Sequence, residues 1–272
     1  MSWITSRRRH PAAGYAILLL GLLLVGALYA SITGGGAGAA AAPPVAANSA
    51  QISQGHTIFL QDCATCHGLG AQGQTGVAPG LIGVGAAAVD FQVSTGRMPL
   101  RENEAEAARK PPQLNPAQTH AVAAYIASLG GGPAIPGAAQ VSTTGANVGL
   151  GQQIFVADCA QCHNFVGAGG ALTYGKYAPA LTQSTPTQIY EAMLTGPEAM
   201  PVFNDATLTP DQKRDVVAYV TGVRSEANPG GFSLGRVGPV TEGLVAFLGL
   251  LLFMVLAAIW ITAKHGKTTA DE

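Results

Sequence analysis

With 48% apolar and only 11% charged residues, this chain of 272 is too apolar to be wholly water-facing, yet long enough for one or two domains. Its formal charge of −1 excludes the strongly basic balance of a nucleic-acid binder.

The apolar excess is localised near the two ends. Arg7-Arg8-Arg9 precedes Tyr15 to Ile32, 18 residues without a charge, and Gly243 to Ala263, a further 21, is followed by Lys264 and Lys267. Each stretch is about long enough to cross a hydrocarbon core of roughly 30 Å as a helix. Basic flanks before the first and after the second put both termini in the cytoplasm and send residues 33–242 outward. A cleaved signal peptide, with small residues at Gly38 to Ala42, competes as a reading of the first stretch. Its apolar run exceeds the usual ~7–15-residue signal core, which favours a retained anchor. A buried core helix competes as a reading of the second, although 21 uninterrupted uncharged residues exceed what such a helix needs. Trp260 near the inner end fits an interfacial belt. The outward segment carries nine Lys or Arg against thirteen Asp or Glu, a formal −4.

After a Gly/Ala/Pro-rich linker at 33–50, a first module spans 51–130. It opens with a predicted helix whose Gly55 and Phe59 lie four apart on one face, and this helix leads into Cys63-Ala64-Thr65-Cys66-His67. Thr95-Gly96 and Met98-Pro99 follow, and a last helix starts near Pro116, a residue suited to a first helical turn, and carries Val122 and Tyr125. Residues 131–147, beginning Gly131-Gly132-Pro133, read as a second linker. The second module, 148–226, repeats the first: Gly151, Phe155, Cys159-Ala160-Gln161-Cys162-His163, Thr195-Gly196, Met200-Pro201, Pro210, Val216 and Tyr219. Ala78-Pro79-x-Leu81 likewise recurs as Ala178-Pro179-x-Leu181. Pro229-Gly230-Gly231 then ends any helix that runs on from Tyr219.

All four cysteines fall in the two C-x-x-C-H runs, the attachment signature of c-type haem. The two thiols add across the porphyrin vinyl groups, and the adjacent imidazole coordinates the iron. Composition alone predicts roughly 0.001 such motifs per chain. A disulfide framework leaves His67 and His163 unexplained, and a structural zinc site requires four sulfurs to converge from motifs 96 residues apart. The reading is two covalent haems, on Cys63 and Cys66 and on Cys159 and Cys162, with His67 and His163 as axial ligands.

A pure electron carrier fills the sixth iron position as well. His56 aligns with Gln152 and His120 with Arg214, so neither serves both modules through a shared design. Met98 and Met200 match, each between a Thr-Gly pair and the last helix, whereas Met193 aligns with Val93 and reads as a packing residue. Met98 and Met200 are therefore the candidate sixth ligands, and a thioether there raises the potential relative to two imidazoles. Arg97, Lys176 and Tyr177 are candidate partners for haem propionates, with solvated surface residues as the competing reading.

The crossing of a glycine and an aromatic on one helix with an aliphatic and a tyrosine on another resembles the terminal helices of class I cytochromes c. That resemblance implies an all-α fold, here two modules in tandem between an N-terminal and a C-terminal transmembrane helix. It also implies haem attachment on the outer side of a bacterial membrane, in agreement with the charge flanks. Two His/Met modules between two spans, together with Gly231-Phe232-Ser233-Leu234-Gly235-Arg236-Val237-Gly238-Pro239, resemble the dihaem cytochrome cc subunits of actinobacterial cytochrome bc complexes. What this implies is a quinol–cytochrome c reductase that oxidises menaquinol, containing a cytochrome b subunit and a Rieske iron–sulfur subunit. Its Rieske protein reduces one haem, and electrons leave from the other to the copper-bearing subunit of a cytochrome oxidase. A dihaem peroxidase, a dehydrogenase cytochrome and a subunit of another oxidase remain open. A peroxidase needs an open iron site, and a dehydrogenase cytochrome commonly carries three motifs rather than two.

Overall fold

The computed structural model describes residues 11–33, 48–100, 106–226, 234 and 239–268. Arg7 to Arg9, residues 34–47 of the first linker and Pro229-Gly230-Gly231 lie outside them, as does nearly all of the segment from Gly231 to Gly238.

Helix α1, Pro11–Thr33, belongs to one compact unit of the chain, and the rest belongs to another. In the second unit, module 1 consists of α2 (Ser49–Asp62), the single turn α3 (Ala64–His67), α4 (Gly85–Ser94) and α5 (Pro116–Leu129). A short helix α6, Ala138–Val141, follows. Module 2 consists of α7 (Val148–Ile154), a π-turn (Phe155–Cys159), α8 (Ala160–His163), α9 (Pro186–Thr195) and α10 (Pro210–Ser225). The chain continues into α11, Pro239–Thr268.

Start signals in the sequence set these boundaries. Asn115 with Gln118, Thr185 with Gln188 and Thr209 with Gln212 each form a reciprocal capping box, with proline in the first turn. The box satisfies amide hydrogens that would otherwise be orphaned at a helix start, while proline has no amide hydrogen to lose. In each module the first helix then crosses the last at glycine. A Cβ on Gly55 would collide with the Ala121 carbonyl, and one on Gly151 with the Asp215 carbonyl. Phe59 packs on Tyr125 at 5.3 Å between ring centroids, and Phe155 on Tyr219 at 5.2 Å. Around these pairs lie two separate apolar cores, one in each module.

The expected all-α fold has small exceptions. Gly170–Ala171 (β1) pairs antiparallel with Tyr177–Ala178 (β2), and Gln74 bridges Ala78 at the matching place in module 1. The loop after each haem motif must fold back on itself, and ladder bonds satisfy its backbone there. The segment read as a linker at 131–147 is also partly built into the modules. The Pro133 carbonyl accepts from the Ala87 amide, and Gln140 in α6 reaches the Tyr190 hydroxyl at 3.3 Å.

The modules touch through α4 and α9. Gln188 Nε2 donates to Ser94 Oγ at 3.1 Å, the Tyr177 amide to Glu106 Oε2 at 2.8 Å, and the Ala107 amide to Glu198 Oε1 at 3.4 Å. Within α11, Thr241–Ala263 has mean hydropathy 2.9 and none of it is buried; by length and composition it is able to cross a membrane. In α1 the described apolar stretch is the shorter Tyr15–Leu28.

Candidate functional site

Each C-x-x-C-H run straddles the end of the module's first helix and one further turn, so the two cysteines and the histidine are presented together. No disulfide joins the cysteines, and Cys63 packs on one module's core while Cys159 is buried in the other's. That separation removes the convergence a four-sulfur zinc site requires. Burial, followed by Asp62 and Cys66, pushes the Cys63 thiol up to about 11. Burial, followed by Asp158 and Cys162, takes Cys159 to about 12.

The returning loop fixes the histidine. His67 Nδ1 lies 2.8 Å from the Pro79 carbonyl oxygen, and His163 Nδ1 lies 3.0 Å from that of Pro179. A carbonyl only accepts, so Nδ1–H donates in both modules and the Nε2 lone pair is left free for a metal. Burial lowers the His163 pKa against the upward pull of that hydrogen bond, which favours the neutral imidazole iron requires. The repeated Ala-Pro-x-Leu brings this carbonyl to the ring, a backbone role that its side chains do not reveal.

In module 2, Cys159, Cys162, His163 and Met200 line one cleft. Phe155, Leu181, Ile189, Val216 and Val220 form apolar walls. The donor set of two cysteine sulfurs, an imidazole and a thioether fits a c-type haem. In module 1, Met98 and Cys63 pack on one apolar cluster beside Leu81, on the loop whose Pro79 holds His67.

The methionine loops are held differently. The Met98 amide donates to Gln92 O at 3.0 Å, and Lys110 Nζ binds the carbonyls on either side of it, Arg97 at 3.4 Å and Pro99 at 3.0 Å. The Met200 amide donates to Pro197 O at 3.0 Å, and the Phe203 amide to Met193 O at 2.8 Å. Farther along, fully buried Lys213 holds Asp205 Oδ1 and Leu208 O, both at 2.7 Å. Met193 itself is buried on α9 in the module 2 core. His56 packs its ring on Tyr125, and His120 Nε2 lies 3.5 Å from Asp90 Oδ1.

Of the propionate candidates, Tyr177 lines the module 2 cleft and so does Arg97, which comes from module 1. Lys176 sits in the turn joining β1 and β2, where its amide donates to Thr173 O. The roles of Lys110 and the crossing of Arg97 left no trace in the repeat, because neither is a repeated feature.

Known proteins resemble this chain in both modules. Residues 52–130 match the family model for cytochrome c, and residues 146–220 match that for cytochrome c oxidase, cbb3-type, subunit III. The cytochrome bc1 complex cytochrome c subunit of Corynebacterium diphtheriae is 42% identical over 94% of this chain and 95% of its own length. The Mycobacterium tuberculosis subunit of the same name is 41% identical over 95% of this chain and 93% of its own. The cbb3-type cytochrome c oxidase subunit FixPc of Rhizobium leguminosarum is 34% identical over 41% of the chain and 39% of that protein.

Proposed function

Because the chain belongs to the family of cytochrome bc1 complex cytochrome c subunits, we propose that it carries electrons from the Rieske protein of a menaquinol-oxidising bc complex to the copper-bearing subunit of a terminal oxidase. Its two cytochrome c domains hold haem c covalently, and that iron supplies one-electron chemistry by cycling between ferric and ferrous. Within the quinol–cytochrome c reductase the chain is an electron carrier, and quinol chemistry belongs to other subunits, the cytochrome b subunit among them.

The site residues then have separate tasks. Cys63 and Cys66 tether one haem, and Cys159 and Cys162 the other. His67 and His163 present Nε2 as the fifth ligand, oriented by Pro79 and Pro179; Met98 and Met200 provide the sixth. The carrying observation is the duplicated His–proline carbonyl contact, which fixes one tautomer in both modules and leaves the same nitrogen free. The apolar walls around His163 disfavour the extra charge of ferric iron, and a thioether favours ferrous iron, so both act to raise the potential. Two membrane spans, one within α1 and one within α11, hold the haem domains at the outer face with both termini inside, in keeping with the basic residues flanking each span.

Membranes washed free of soluble cytochromes are expected to couple quinol oxidation to oxygen uptake, because donor, carrier and acceptor stay in one assembly. Cys63→Ser with Cys66→Ser is expected to stop that coupling once alternative quinol oxidases are excluded; undiminished uptake would reject the route. The match of residues 146–220 to a cbb3-type oxidase family favours a second reading, an oxidase's own dihaem subunit. Purifying the native complex separates the two, since only the first brings down Rieske and cytochrome b subunits.

A further inference from the structure

In sequence, Arg97 stands beside Met98 and invites assignment to the module 1 haem. The structure sends its side chain elsewhere. Arg97 lines the module 2 cleft together with Cys162, His163 and Met200, and so does Phe91 of α4, over whose ring the guanidinium carbon lies at 4.9 Å.

Arg97 is 7% exposed, and its Nη1 is buried without a hydrogen-bond partner. A ring beneath the guanidinium attracts its charge but leaves the in-plane N–H groups unanswered. Glu106 and Glu198 line the same cleft and their charges favour the cation, but the bonds they accept come from the Tyr177 and Ala107 amides, and neither acid bonds Nη1. A buried cation with an idle donor on a cleft wall calls for an anion in the cleft. Of the groups that belong there, a haem offers carboxylates, which a guanidinium matches with two parallel hydrogen bonds.

On the reading that each module binds a haem, we propose that Arg97 of module 1 is a propionate-binding residue for the haem of module 2. Residues 97 and 98 thus serve different haems through adjacent positions of one backbone. Lys110, which holds the carbonyls of Arg97 and Pro99, steadies both at once. Charge neutralisation by Arg97 favours the ferrous form of the module 2 haem and raises its potential.

The test is a redox titration of the full-length chain in which Met98→His and Met200→His first assign each potential to its module. Arg97→Gln is expected to shift the module 2 haem at least tenfold toward ferric in its one-electron equilibrium, about 59 mV. The module 1 haem should move less, and Arg97→Lys should recover part of the loss. A larger shift at module 1, or none at either haem, would overturn the proposal. Redox-difference infrared spectra of the wild-type chain, labelled with guanidino-¹⁵N arginine, give a readout that needs no glutamine variant. An isotope-sensitive guanidinium band at the module 2 potential, lost in Arg97→Lys, supports the contact; its absence, or its appearance only at the module 1 potential, rejects it. Failure of the two-haem reading would show in the wild-type chain and the methionine variants, before Arg97 is touched.

Discussion

Module 1 and module 2 carry the same chemical residues on differently supported scaffolds. The first keeps a regular helix to Asp62 and braces its methionine loop with Lys110; the second enters its motif through a π-turn at Phe155–Cys159 and braces the following loop with buried Lys213. What persists is the glycine at the helix crossing, the aromatic pair, the cysteines and histidine, and the proline whose carbonyl faces the imidazole. Those positions are fixed by backbone approach or by what the proposed haem iron would require of its ligands. The residues that hold each loop in place answer only to local packing, so each copy found its own solution.

The comparison can be broken most severely at the crossings. Gly55→Val and Gly151→Val each place a Cβ on a facing backbone carbonyl that has no flexible end to retreat. Each is expected to cost roughly 3 kcal/mol or more and to disorder its own module first. Thermal melts followed at the haem absorbance should show one destabilised transition, and equal loss in both modules would argue that they fold as one unit.

Ligand exchange gives a smaller and more selective effect. Met98→His or Met200→His should lower the potential of one haem only, by tenfold or more in its equilibrium, or about 59 mV. Met193→Leu, a nearly volume-conserving change in the core, should leave both potentials nearly unchanged. A titration in which Met193→Leu removes a His/Met signal would displace Met200 from its assigned role.

A pH dependence sharpens the boundary between modules. Glu191 of α9 is fully buried facing Asp90 of α4, whose other neighbour is His120 Nε2 at 3.5 Å. Burial first, and Asp90 second, push the Glu191 pKa up to about 10. The native state therefore keeps a proton that the unfolded chain releases near 4.5, the ordinary value. Stability from this group is full below that pH and declines as pH rises toward 10, by at most about 1.4 kcal/mol per pH unit. Glu191→Gln should flatten the decline in denaturant titrations between pH 5 and 9; an unchanged slope would remove Glu191 as its cause.

The sequence made the repeated chemistry legible, and the reason is physical. C-x-x-C-H, Gly55 with Phe59, and Pro116 each carry a constraint that few other residues meet, so their recurrence at Gly151, Phe155 and Pro210 is informative. The proline carbonyls escaped assignment because a backbone atom's role leaves only the loop shape as its signal. The crossing of Arg97 into module 2 and the burial of Glu191 against Asp90 escaped because a contact between modules has no counterpart within either one. The segment 131–147 looked like plain linker since α6 is too short to show a helical period, and its docking through Pro133 and Gln140 gives it structure.

The bonds from Ser94 to Gln188, Glu106 to the Tyr177 amide and Glu198 to the Ala107 amide have a kinetic meaning. Two domains joined only by a strand of chain would have to search by diffusion for a productive encounter before every transfer. Domains clasped along a shared face would skip that search, so on the proposed route the internal step is expected to be independent of solvent viscosity and of the length of the connecting segment, leaving only the encounters with the outside donor and acceptor to optimise.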